Sequence, residues 1–135
     1  MTLTLRNFAG GILVLAASIA PGRGDAATFQ TLYAFPNPNP APFFPWGGLT
    51  AEGGMLFGTT YQGGTSGRGT VIEVSPKTGA VTVLASFTGG NGAMPVGGLT
   101  SAGGKLYGTT YAGGSNNAGS VFAISPSTGA LTSLY

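Results

Sequence analysis

From Phe29 onward, apolar residues come in short bursts of about five to seven. Gly, Pro, Ser and Asn separate the bursts, and no stretch after residue 27 shows a helical period with caps. "MLFGTTY" (Met55–Tyr61), "TVIEVS" (Thr70–Ser75) and "VTVLASF" (Val81–Phe87) read as strands. So do "KLYGTTY" (Lys105–Tyr111), "SVFAIS" (Ser120–Ser125) and "LTSLY" (Leu131–Tyr135). A short further strand is expected around Gly48–Thr50 and again around Gly98–Thr100. Simple alternation places Val81, Val83, Ala85 and Phe87 on one face and Leu84 on the other; Val121 and Ala123 oppose Phe122 and Ile124. Both faces are apolar, so such a sheet has to be covered on both sides.

The punctuation is as informative as the strands. "AEGG" and "SAGG" supply two consecutive residues able to take positive φ, which a tight hairpin needs. "SPKTG" and "SPSTG" read as a type I turn followed by a left-handed glycine.

These strands and turns recur. The segment from Pro45 aligns without a gap on the segment from Pro95, a period of 50 residues, and more than half of the aligned positions are identical. A partial copy precedes them: "FQTLYAF" (Phe29–Phe35) resembles "VTVLASF". The stretch that follows it, "PNPNPAPFF" (Pro36–Phe44), is proline-rich and is expected to be extended and irregular. The chain therefore divides into a leader (1–26), a leading strand with its linker (27–44), a first repeat (45–94) and a second repeat (95–135). The fourth strand of the second repeat runs only to Tyr135, which reads as an incomplete array.

Four-stranded sheets repeated at this spacing describe the blades of a propeller. The expected fold is all-β and β-propeller-like: two four-stranded blades plus a leading strand. A β-solenoid is the competing architecture, although its rungs are usually shorter than 50 residues. Two blades alone leave sheet faces and edges uncovered, which favours self-association through exposed blade faces; a truncated array, a ring of several chains and a small open structure are the competing explanations, and truncation is preferred because the sequence ends inside a strand.

The motif elements G-x-L-Y-G-T-T, G-G, G-S-V-F and the Pro-x-T-G turn, all present in "GGLTSAGGKLYGTTYAGGSNNAGSVFAISPSTGALTSLY", closely resemble the GloVer tandem repeats of bacterial exported proteins. The resemblance spans both copies and the leading strand. It implies export and a propeller-like array, and it carries no catalytic residues with it.

The first 26 residues read as a signal peptide. Arg6 precedes an apolar run of 13 residues, Phe8–Ala20, and Gly24–Ala26 places small residues for cleavage after Ala26. No membrane span is expected once that leader is gone. Its removal also takes Arg6, Arg23 and Asp25, leaving Arg68, Lys77 and Lys105 against Glu52 and Glu73. A balance so close to neutral, without a basic cluster, gives nucleic acid nothing to hold.

Composition narrows the chemistry further. The sequence contains no cysteine and no histidine, so it lacks disulfides, the commonest metal ligand and the commonest general base. The glycine doublets sit between strands rather than before a helix. "GGK" at Gly103–Lys105 runs into Leu106 rather than Ser or Thr, so neither a dinucleotide nor a P-loop fingerprint is present. Glu52 and Glu73 are the two carboxylates available to a glycosidase-type pair, but the second repeat has alanine at both places, and they read as surface residues. No catalytic residue, metal site or cofactor is assigned.

Binding is the class left open. Tyr61, Gln62, Arg68, Tyr111, Asn116 and Asn117 fall at strand ends or in the loop between the second and third strands. The two tyrosines recur in both copies and read as blade-packing residues; Trp46, opposite Val96, reads as a core or interblade residue. Arg68, Asn116 and Asn117 differ between copies, and with Gln62 they are the candidate ligand contacts for a glycan, peptide or other surface ligand. The expected function is an exported, non-catalytic interaction module at the cell surface or outside the cell. A structural spacer is the second reading, and a propeller-type enzyme the third.

Overall fold

The computed structural model describes residues 3–8, 12–17, 29–36 and 42–135. Twelve strands follow one another in chain order, and no helix occurs among the described residues. They are β1 (Leu3–Phe8), β2 (Ile12–Ala17), β3 (Phe29–Ala34), β4 (Thr50–Glu52), β5 (Met55–Thr60), β6 (Thr70–Val74), β7 (Val81–Ser86), β8 (Ala93–Pro95), β9 (Thr100–Ala102), β10 (Lys105–Ala112), β11 (Ser120–Ile124) and β12 (Leu131–Ser133). All pairings are antiparallel and form three sheets: β1-β2-β3, β4-β5-β6-β7, and β12-β11-β10-β8 with β9 also on β10. The chain is all-β, as its periodicity requires. The cleavage-site residues Gly24–Ala26 and residues 37–41 of the proline-rich stretch lie outside the described residues.

Each repeat is a meander of four strands joined by the expected turns. Gly53 and Gly54 take φ of 56° and 80° and close the β4–β5 hairpin, with Glu52 opposite Met55. Positive φ at both central positions gives the twist that a two-residue hairpin needs. The short first strands lie two residues later than expected, because each must end directly on its glycine doublet. The preceding doublets serve a different purpose. A Cβ on Gly47 would strike the carbonyl of Gly97, so these glycines let the backbones of the two repeats approach each other.

β8 is an addition to the expected four. Ala93 and Pro95 pair with Ala112 and Thr110 at the far end of β10, and Pro95 is tolerated because it stands on a sheet edge. Repeat 1 repeats the arrangement as a single bridge, Phe43 to Gln62. Phe44 and Met94, both at φ 56°, occupy matched positions in these edge segments.

The fourth strand departs from simple alternation. Ile72 pairs with Val83 and Val71 with Ala85, so Leu84 is a bulge. The bulge reverses the parity of the strand: Val81 packs with Ile72 and Val74, whereas Leu84, Ala85 and Phe87 pack with Val71 and Phe122. The even alternation expected from Val81 to Phe87 is therefore wrong beyond Val83. The same bulge recurs elsewhere. Leu32 is skipped where β3 pairs with β2, and Leu134 is skipped between the Phe122–Ser133 and Val121–Tyr135 pairings.

Two apolar clusters result. One joins the repeats: Phe57, Val71 and Phe87 from the first meet Leu99, Leu106, Phe122 and Ile124 from the second, with the Phe87 and Phe122 rings edge-to-face at 5.1 Å. The other joins the leading strand to repeat 1: Tyr33 and Phe35 cover Leu49, Leu56, Ile72, Val74 and Val81. Repeat 1 is thus apolar on both faces and covered on both.

Candidate functional site

Equivalent residues on the two repeats have different neighbours. Thr59 is buried in repeat 1, and its hydroxyl donates to the carbonyl of Gly97 at 3.1 Å. Its counterpart Thr109 is exposed. Val71 has no exposed surface, while Val121 is 39% exposed. Gly69 is buried, its carbonyl accepting the Phe87 N–H at 2.9 Å and its α-carbon facing Pro95. Its counterpart Gly119 stands in the wall of a cleft of about 390 Å³, together with Thr109, Ser115, Asn116, Val121 and Tyr135. The cleft thus occupies, on repeat 2, the ground that Phe87 and the Met94–Gly97 segment occupy on repeat 1. It is the principal candidate site.

The four candidate ligand contacts fall in different settings. Asn116 is exposed on the cleft wall. Asn117 is exposed at φ 55°, and its Oδ1 accepts the Gly113 N–H at 3.2 Å, so its side chain helps to hold the loop. An asparagine tolerates this left-handed conformation better than most residues. Arg68 lies at the seam between the repeats. Its carbonyl accepts the Met94 N–H at 2.8 Å, and its exposed side chain passes over Gly89. Gln62 is held through its backbone: it exchanges hydrogen bonds with Phe43, and its carbonyl also accepts the Thr60 hydroxyl at 2.9 Å. Among the four, Asn116 alone lines the cleft.

Two aromatic assignments need correction. Trp46 is 56% exposed and stacks on Tyr61, with ring centroids 4.4 Å apart, so it is neither core nor wedged between sheets. Tyr111, expected to pack, is 70% exposed. Tyr111 comes near the end of the long β10, beyond the part of that strand which pairs with β11. The clue to Trp46 was available: positions where the copies differ lie mostly at the surface, and Trp46 aligns with Val96, itself 40% exposed.

Inter-repeat polar contacts account for several residues that chemistry might have claimed. The Ser101 hydroxyl donates to Glu52 Oε2 at 2.6 Å, and the Thr50 hydroxyl donates to the Leu99 carbonyl. Glu52 on β4 and Glu73 on β6 are separated by β5, where they pair with Met55 and Phe57. Inside the sheets, the hydroxyls of Thr60 and Thr70 lie 2.7 Å apart and those of Thr110 and Ser120 3.0 Å apart. Such pairs satisfy buried hydroxyls within the fold. Among the described residues, no three or more His, Cys, Asp or Glu come together in a group that could hold a metal ion. No helix there is long and apolar enough to cross a membrane.

No curated protein matches the chain. The family described as the Gloeobacter/Verrucomicrobia repeat matches residues 18–135. That span takes in both copies of the repeat and the leading strand, and the chain is a member of the Gloeobacter/Verrucomicrobia repeat family.

Proposed function

We propose that this chain is an exported, non-catalytic interaction module of propeller-like build, which binds through the open face of its second repeat. The carrying observation is the contrast between matched surfaces: the ground covered by protein on repeat 1 is an accessible cleft on repeat 2. A face that is part apolar (Val121, Tyr135) and part polar (Thr109, Ser115, Asn116) suits a partner offering both backbone groups and apolar side chains. Support for export comes from Arg6, the apolar run Phe8–Ala20 and the small residues at Gly24–Ala26. The non-catalytic reading rests on residue supply: the sequence contains no His or Cys, and two carboxylates remain beyond the leader.

The experiment is expression of the full chain in a secreting bacterium. N-terminal sequencing of the exported product should begin at Ala27, and that product should be retained by a partner through the face bearing Val121. An exported chain that bound no protein, peptide or glycan and behaved only as a rigid rod would favour the spacer reading instead. The face-to-face packing of the two repeats is the observation that keeps the spacer in play.

A further inference from the structure

The edge segments before β4 and β9 differ between the repeats in side chains and not in course. Repeat 1 carries Phe44 and Trp46 where repeat 2 carries Met94 and Val96, while Tyr61 and Tyr111 are shared. Phe44 and Met94 are both at φ 56°. Phe43 and Phe44 run beside Gln62 and Tyr61, as Ala93 and Pro95 run beside Ala112 and Thr110. Repeat 2 thus builds the same edge without an aromatic pair, so the Trp46–Tyr61 stack is an addition that the fold does not require. The stack is held firmly. Pro45 is buried and Gly47 is pressed against the Gly97 carbonyl, which fixes the backbone on both sides of Trp46. The Phe44 carbonyl accepts the Tyr61 N–H at 2.9 Å. With centroids 4.4 Å apart and planes 21° from parallel, the two rings close on each other and leave no slot between them. The indole is nevertheless 56% exposed. One face rests on Tyr61, so the open ground is its other face and its edge.

The rim of the stack is polar and its surroundings are uncharged. The Tyr61 hydroxyl bonds to no other residue, and no buried polar side-chain atom among the described residues lacks a partner, so this hydroxyl reaches solvent. The indole N–H of Trp46 is also unbonded within the fold. The charged residues of the two repeats stand elsewhere. Glu52 faces Met55 across the β4–β5 hairpin, at the end of β5 away from Tyr61. Val74 lies opposite Leu56, which puts Lys77 and the β6–β7 turn at that same end. Glu73 is opposite Phe57, and Lys105 opens β10. Arg68 lies toward the Tyr61 end, but its guanidinium rests against Gly89. A flat aromatic face with a hydroxyl and an N–H at its rim is complementary to a pyranose ring. Axial C–H groups meet the electron-rich π face, and equatorial hydroxyls reach the polar rim. The geometry points to a saccharide-binding site on the exposed face of Trp46, backed by Tyr61, for an uncharged glycan of β-linked hexopyranose units. A proline-rich peptide docks in aromatic-lined grooves and finds no slot between these closed rings. An acidic ligand would leave its charge unpaired. The site lies on repeat 1 and owes nothing to the cleft on repeat 2.

The test titrates cellohexaose and chitohexaose into the full chain. Trp46 is the single tryptophan, so binding on its face should shift its emission saturably, and calorimetry should give one site per chain. Trp46→Val, the residue that repeat 2 carries at this place, should abolish the heat of binding. Tyr61→Phe keeps the stack, loses the hydroxyl and should weaken binding about fivefold. Val96→Trp sets an indole beside Tyr111 and should raise the stoichiometry to two sites per chain. That variant gains a function, so a failure to fold cannot imitate the expected result. Val121→Lys, in the cleft, should leave saccharide binding unchanged. The absence of a saturable signal with either sugar in the millimolar range would overturn the inference. So would binding that survives Trp46→Val, a Val96→Trp chain that still binds at one site, or binding lost through Val121→Lys. Saturation by decaproline, with no response to either sugar, would replace the glycan with a peptide and overturn it as well.

Discussion

The two repeats are near-copies in sequence, yet they differ in what covers them. Val71 and Val121 are the same residue at the same place in the same strand, one sealed and the other 39% exposed. Thr59 and Thr109 form a second such pair, one bonded to Gly97 and the other facing the cleft. In a stacked array, the energetic value of a residue is set by whether a neighbour follows it, more than by its own repeat. The exposed members of these pairs therefore contribute little to the stability of the fold.

That contrast can be broken most forcefully at its apolar centre. Phe122→Ala should cost about 3–5 kcal/mol in urea unfolding of the full chain, because the ring is fully buried against Phe87. A loss below about 1 kcal/mol would mean that the two sheets do not share a core. The matched valines sharpen the comparison. Val71→Ala should destabilise by about 2 kcal/mol, whereas Val121→Ala in the leader-bearing chain should stay within about 0.5 kcal/mol. Equal effects would refute the difference in covering.

The threonines give a smaller version of the same experiment. Thr59→Val removes the donor to Gly97 and should cost about 1–2 kcal/mol, while Thr109→Val should be close to neutral. The smallest expected effect is at the surface stack. Trp46→Ala should cost about 0.5–1.5 kcal/mol, since it loses a contact with Tyr61 that is only partly shielded. Trp46 is the single tryptophan of the chain, so its fluorescence should report the environment of this stack without interference.

Much of the fold was legible because strand and turn chemistry are local. Period-2 runs bounded by glycine doublets marked the hairpins, and the 50-residue self-match marked the units. The features that escaped are those that depend on a partner elsewhere in the chain. The bulge at Leu84 is not written in "VTVLASF", because it is created by pairing with β6. β8 escaped because "NGAMP" carries loop residues and becomes a strand only against the end of β10. The candidate site was half legible. Differences between the copies led to Asn116, which lines the cleft. The face also contains residues shared by both copies, Thr109, Gly119 and Val121, and comparison of the copies cannot reveal at which of two identical positions such a residue is left uncovered.

The recurring leucine bulge has one more consequence. The distance along the chain from Leu32 to Gly79 exceeds that from Leu84 to Gly129 by two residues, yet both leucine carbonyls come to rest against the turn glycine of the sheet that follows. The contact works as an index pin: it fixes how one sheet is phased on the next, while the intervening linker takes up the slack. A lineage of such proteins is thus free to lengthen, shorten or decorate its connecting segments without disturbing the pitch of the stack.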